Sequence, residues 1–278
     1  NDRGILRVCE LDLRVIGVVR SSAVNPSGLP HYGFPARIEV FPEYSAALSG
    51  IEKSTHIIVI GWLHGADRTV LQVHRPIYDR LLVHRGVFAC RSPVRPNPLG
   101  ITTVRLLDVS DTTLYVDGLD MVDGTPVLDL KPHSSGFDGV FCARSARDLS
   151  RLADPDSDHA YRSMLREAEN FHGEQCTGIT LGVRMVYHVM KTLGVAQKDP
   201  CLIASVGDDG CIADGVQSLT GATFGNKRLK YSPGPVFRFD FDGQSLCFAP
   251  KALGDSSIED VLRAGVDDLF EVQIQCKT

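Results

Sequence analysis

Between Gly86 and His133 the chain reads GVFACRSPVRPNPLGITTVRLLDVSDTTLYVDGLDMVDGTPVLDLKPH, and both ends of this stretch exclude a helix. Pro93, Pro96 and Pro98 fix φ, remove backbone donors and push each preceding residue out of the α region. What remains at 91–98 is a stiff arm carrying the guanidiniums of Arg91 and Arg95 and the amide of Asn97. The middle alternates apolar and polar residues through Ile101, Val104 and Leu106, and again through Leu114 and Val116, which is the two-residue period of a strand pair. At 120–133 an Asp-Gly turn lies between apolar runs, with Asp123, Asp129, Lys131 and His133 around it. This reads as a second loop, and its mixture of charges suits a ligand carrying both an ammonium and a carboxylate.

Upstream, Leu13–Arg20 is a β-branched run, Ser21–Pro35 is irregular, Ala36–Phe41 reads as a strand and Pro42–Leu48 as a short helix. His56–Leu63 is a strong strand ending at Trp62, and with Phe88 and the pair in the middle this makes at least six strands and little helix. An all-β sheet closing into a barrel is the expected fold of residues 1–145. An acidic, proline-broken linker follows at 146–158. A second domain then begins at 159 with Tyr161, Met164, Leu165 and Ala168 at helical spacing. Near the end, Ser256–Gly265 reads as a capped helix and Phe270–Ile274 as a strand.

Length matters here because 278 residues accommodate two ordinary domains. No run approaches the ~18 uninterrupted apolar residues of a membrane span, which points away from a membrane and towards the cytoplasm. Eight cysteines without a tight framework read as reduced thiols, with no structural disulfide and room for a metal site. The first 150 residues are balanced in charge and the remainder carries the whole net charge of −5. Neither half has the electropositive excess typical of RNA-gripping proteins, although Arg75, Arg80, Arg85, Arg91 and Arg95 are concentrated locally.

The order of the residues adds a resemblance. RSPVRPNPLG followed by GLDMVDGTPVLDLKP resembles the signature of the TrmO (TsaA-like) family of S-adenosylmethionine-dependent methyltransferases. Ile16–Ser21, Ala36–Val40 and Thr55–His64 with Ala66-Asp67 follow that family's pattern in order. The resemblance implies a barrel, a homodimer and an S-adenosylmethionine site made by His64, Gly65, Arg91, Ile101 and the backbone of Val116, Asp117, Gly118 and Leu119. Arg95 and Asn97 fit either a ligand contact or a structural cap. Asp123, Asp129 and Lys131 fit either the site or a solvated ion-pair cluster. Asp129, Lys131 and His133 are the catalytic candidates, and His133 stands where the family has tyrosine, exchanging a phenol for a group that accepts a proton near neutrality. The reaction is then methylation of the modified adenosine beside the tRNA anticodon, or methylation or another S-adenosylmethionine-derived group transfer onto a small molecule. A non-catalytic metal- or cofactor-binding adaptor is the alternative from outside enzymology.

In the second half, FHG-x2-C-x-G-x2-LG-x-R from Phe171 and C-x2-D-x2-Q-x-LTG-x-TFG from Cys211 resemble FmdE-like domains, named after a component of formylmethanofuran dehydrogenase. His172 and Cys176 are four apart, which on one helical turn would put two metal-competent side chains on one face. The resemblance implies an α+β domain in which His172, Cys176 and Cys211 bind zinc or another divalent metal with one position open. The other reading of the two cysteines is as small buried hydrophobes.

Overall fold

The computed structural model describes residues 12–25, 29, 33–75, 83–141, 143, 158–252, 254 and 256–276. The linker expected at 146–158 lies outside these except at Asp158, as does Arg80. The described residues group into two units, one drawn from 1–73 and 84–139 and the other from 74–83 and 140–278.

In the first unit the alternating segments become strands β1 (Gly17–Arg20), β2 (Phe34–Val40), β3 (His56–Trp62), β6 (Leu99–Ser110), β7 (Thr113–Leu119) and β8 (Pro126–Pro132). They close into a barrel in the order β1-β2-β7-β6-β3-β8, and every pairing is antiparallel. Val19, Ile38, Ile57, Val59, Val104, Leu114, Val116 and Val127 fill the interior, as a small barrel requires. Register shifts at Phe34/Ala36, Ile60/Gly61 and Leu106/Asp108 mark where strands bend to close it. Two short strands, β4 (Gln72–Arg75) and β5 (Val83–Gly86), form a separate ribbon. Phe88 belongs to a 3-10 turn at Val87–Ala89 and not to a strand. A single helical turn, α1 (Ser135–Asp138), follows β8.

One expectation is corrected. Residues 126–132 are not loop but the strand that closes the barrel, pairing with β1 and β3. Their two prolines stand at the strand's ends, where a missing donor is tolerated, and the bulge at Ile60/Gly61 lets Val127 and Leu130 both reach the core while Asp129 and Lys131 face out.

The second unit carries α2 (Asp158–His172), α3 (Thr177–Leu193), β9 (Ile203–Val206), α4 (Gly210–Thr220), β10 (Leu229–Tyr231), β11 (Phe237–Phe241), β12 (Gln244–Pro250), α5 (Ile258–Arg263), α6 (Val266–Leu269) and β13 (Phe270–Cys276). The sheet order is β10-β9-β11-β12-β13, with β9 and β10 parallel and the other neighbours antiparallel. This is an α+β unit. α3 is apolar on nearly every side, from Ile179 to Met190, and is buried accordingly. Phe239, Phe248 and Phe270 meet edge to face beneath the helices.

Where α3 crosses α4, glycines remove the side chains that would hold the helices apart. A Cβ on Gly178 would lie 2.6 Å from Cys211 Cβ, and one on Gly182 would lie 2.7 Å from the Ile212 carbonyl oxygen and 3.0 Å from Gly215 Cα. Because 178 faces 211 and 182 faces 215, the two helices run side by side in the same direction. Their N-termini therefore share one end.

Candidate functional site

Antiparallel closure gathers one rim of the barrel from the end of β1, the start of β2, the end of β3, the start of β6, the end of β7 and the start of β8. Most of the sequence-selected residues of the first unit lie here. After β3 the Leu63–Ala66 turn closes through the Ala66 N–H and presents His64 and Gly65 to solvent. Arg68 ties this turn to the proline arm, donating from Nε to the Pro96 carbonyl at 2.9 Å and lying over the Trp62 ring at 5.5 Å. The arm is not helical and bends repeatedly.

Its two arginines are spent differently. Arg95 donates to the carbonyls of Val87 and Cys90 at 2.7 and 3.2 Å, which is the structural cap. Arg91 is exposed and uses Nη2 on the Ile101 carbonyl at 2.7 Å, with Ile101 itself half exposed. Asn97 is exposed beside them. Val116 and Leu119 are fully buried in the core, so only their backbone is available at the rim. Gly118 has φ 85°, and Asp117 accepts its N–H.

The Asp-Gly turn is a β-turn closed from Thr125 N–H to the Val122 carbonyl at 3.2 Å, with Gly124 at φ 75° in the third position. That φ is why glycine stands there. Asp123 clamps the segment after β1: its N–H donates to Ala23, and its carboxylate accepts from Ser21 N–H at 3.0 Å. Asp129 and Lys131 pair with each other at 2.7 Å on the outer face of β8, both half exposed. His133 follows at the far end of that strand, its N–H on the His56 carbonyl. Four residues of strand, about 13 Å at roughly 3.3 Å each, separate it from Asp129. The structure thus assembles the proposed cofactor residues on one rim and leaves His133 at the opposite one.

In the second unit the described residues hold one group of potential metal ligands, His172, Cys176 and Cys211, whose donor atoms all lie within 4.8 Å of one another. The expected pair of His172 and Cys176 does meet, but not on one helical turn. α2 stops at His172, Gly173 takes φ 100°, and Cys176 is the N-cap of α3 rather than the next turn of α2. Cys211 comes from the first turn of α4, brought in by the Gly178 contact. Burial, and then the neighbouring Cys176, push the Cys211 thiol up to about 11, so without a cation Cys211 is held as a thiol. A bound divalent ion reverses that by stabilising the thiolates, and both sulfurs sit at helix N-termini, where the macrodipole favours negative charge. The donor chemistry of this cluster therefore fits zinc or a similar ion.

Asp214, the aspartate of the C-x2-D motif to which the sequence gives no role, has its carboxylate 2.8 Å from His172 Nδ1. The signal was its position three residues after Cys211, which on a helix shares a face. A cleft of about 490 Å³ opens at the common end of α3 and α4, lined by Thr177, Gly178, Asp208, Asp209, Phe237 and Lys251 among others. Asp208 is engaged there by Tyr231 Oη at 2.6 Å and Gly234 N–H at 3.0 Å, while Lys251 donates to the Asp267 carbonyl.

An antiparallel barrel with a loop-built rim, joined to a helix-and-sheet unit carrying a His/Cys/Cys cluster, defines a two-domain protein of a recognisable kind. The family model of the tRNA-methyltransferase O N-terminal domain matches residues 22–139, and that of FmdE, molybdenum formylmethanofuran dehydrogenase operon, matches 171–249. A probable S-adenosyl-L-methionine-binding protein of Archaeoglobus fulgidus is 41% identical over 233 residues, covering 80% of this chain and 61% of that protein. One of the same description from Methanothermobacter thermautotrophicus is 42% identical over 135 residues, 47% of this chain and 96% of the relative. A crystal structure of TrmO from Pseudomonas aeruginosa aligns with 86% of this chain and 91% of its own at 18% identity and a TM-score of 0.42. The chain belongs to the tRNA-methyltransferase O N-terminal domain family through its first unit and carries an FmdE domain in its second. It spans just under two thirds of the length of the Archaeoglobus relative.

The cluster makes a direct prediction. The full chain, stripped with chelator, is expected to take up one equivalent of zinc, and Cys211→Ser to weaken that uptake by at least about 100-fold through loss of a thiolate ligand. Uptake by the serine variant equal to that of the native chain, measured by competition with a chromophoric chelator, would remove Cys211 from the ligand set.

Proposed function

We propose that the protein is an S-adenosylmethionine-dependent methyltransferase of the TrmO type that binds its cofactor at the barrel rim, with a divalent metal held by His172, Cys176 and Cys211 in the FmdE unit. The observation that carries this is the convergence of the Leu63–Ala66 turn, the proline arm and the Asp123–Gly124 turn on one rim. That rim offers what the cofactor's chemistry asks for: apolar surface at Ile101, cationic and donor groups at Arg91, His64 and Asn97, and an acidic group at Asp123. The relatives named as S-adenosyl-L-methionine-binding support the same reading.

When bound, S-adenosylmethionine supplies an electrophilic methyl on a cationic sulfur, so the leaving group is already activated. The chain's own work is then mostly alignment. Arg91 spans the arm and β6, fixing the spacing between them. Asp123 holds the segment after β1 against the β7–β8 turn and so sets the width of the rim on that side. A proton leaves the acceptor as the methyl arrives, and Asp129, Lys131 and His133 on β8 and just beyond it are the groups proposed to handle it. The distance of His133 from the rim within one chain suits the proposed homodimer, in which a second copy brings its own β8.

A small-molecule acceptor is the favoured substrate class over the modified adenosine of tRNA. The specific observations are the net charge of −5, unsuited to gripping a phosphate backbone, and the cleft beside the metal cluster, of a size for a metabolite. No helix among the described residues is long and apolar enough to cross a membrane, and a cytoplasmic location is proposed.

Calorimetric titration with S-adenosylmethionine tests the cofactor site. The native chain is expected to bind, and Arg91→Ala to bind at least about 10-fold more weakly. Absence of binding by the native chain would leave the adaptor reading in its place. Methyl transfer to unfractionated tRNA but not to a metabolite extract would reverse the choice of acceptor.

A further inference from the structure

We infer that Asp214 is the positioning residue of the second unit's metal site, holding the His172 ring so that Nε2 is the atom offered to the metal; this rests on the metal reading proposed above. The imidazole has two nitrogens, and which one ligates is decided by what the other one does. Here Nδ1 lies 2.8 Å from Asp214 Oδ2. A carboxylate at that distance has no proton to give, so the proton belongs on Nδ1 and the Nε2 lone pair is left free. Nε2 faces the sulfur of Cys176 at 3.7 Å, within the group whose donor atoms are mutually within 4.8 Å. Nε2 of His172 and the sulfur of Cys176 are the donors that would hold a cation there, an imidazole and a thiolate both suiting zinc.

Asp214 is absent from that group because its oxygen lies on the other side of the ring. Its place on α4 is what makes the arrangement stiff. Cys211 and Asp214 are three residues apart on a helix anchored by the Asp209 N-cap and by the glycine contact with α3. One rigid element therefore supplies both a ligand and the clamp on a ligand from another helix. His172 is 14% exposed on its side chain and Asp214 41%, so the carboxylate has room to be exchanged without opening the core. An aspartate inside a helix is a poor helix former, and this one has its carboxylate engaged by His172. Two thiolates neutralise a divalent cation. The Asp214 carboxylate then adds donor strength to the imidazole behind it, as outer-shell carboxylates do.

The test uses the full chain and cobalt(II) as the probe, read by its ligand-field and thiolate-to-cobalt charge-transfer absorption, with zinc affinity measured by chelator competition. Asp214→Ala is expected to weaken affinity about 10- to 100-fold, the usual effect of removing such a partner, while the spectrum at saturation keeps its shape because the ligands are unchanged. Asp214→Asn, which preserves size and still offers an accepting oxygen, is expected to recover part of the loss. Unchanged affinity in the alanine variant would overturn the assignment. So would a changed ligand-field spectrum, which would make Asp214 a ligand. Failure of the native chain to bind cobalt or zinc would instead sink the metal reading itself. Should the alanine variant not fold, Asp214→Leu, close in size and without an accepting oxygen, decides by the same two readouts, and unchanged affinity there would overturn the assignment.

Discussion

Gly33→Ala is expected to destabilise the barrel by about 3 kcal/mol or more and to lower its melting temperature by on the order of 10 °C. Gly33 has φ 74°, and a Cβ built on it would lie 2.2 Å from the Gly118 carbonyl carbon and 2.3 Å from its oxygen. Both partners are backbone, so no side chain can swing aside; β2 and β7 themselves would have to part at the rim. Gly50 provides the control. Its φ is 90°, but a Cβ there meets nothing within 4 Å, so Gly50→Ala carries the backbone strain alone, about 1 kcal/mol. Equal melting temperatures for the two variants would show that the contact between Gly33 and Gly118 is not a constraint. Because the same contact fixes the start of β2 beside the end of β7, Gly33→Ala is also expected to weaken cofactor binding at the rim.

Gly182→Ala is the second change with a large expected effect, and its sign is diagnostic. On a free helix surface a glycine-to-alanine change adds about 1 kcal/mol of stability. At 182 the new methyl would press on the Ile212 carbonyl and on Gly215, so a loss of about 2 kcal/mol or more is expected instead, as overpacking against an unyielding neighbour gives. Driving α3 from α4 also moves Cys211 away from Cys176. Zinc affinity and melting temperature should therefore fall together. A variant as stable as the native chain, with zinc affinity intact, would mean that the helix crossing does not set the cluster.

Much of this architecture is legible in the sequence because periodicity is a local property. The alternation in β6 and β7, the β-branched run of β3 and the apolar spacing in α2 each follow from which side of an element must be buried, and the chain shows that directly. β8 reads as loop for an equally physical reason. Its prolines, aspartate and lysine are poor strand residues on average. They are acceptable here because the prolines stand at the strand ends and the charged pair faces out, facts that exist only once β1 and β3 lie on either side. Arg95 shows the same limit at the site. A guanidinium in a proline arm serves a ligand or a cap equally well in sequence, and the carbonyls of Val87 and Cys90 decide for the cap.

The metal cluster divides the two kinds of information most clearly. The residue types capable of holding a divalent ion, and the presence of two domains, followed from the sequence alone, since donor chemistry and hydrophobic period belong to each residue and its near neighbours. Which residues converge did not. His172 and Cys176 meet across a helix break, Cys211 arrives because Gly178 and Gly182 let two helices touch, and Asp214 stands behind the imidazole because α4 turns once in three to four residues. A glycine's meaning lies in the backbone it lets approach, and that backbone is distant in sequence. Only the tertiary structure brings the two together.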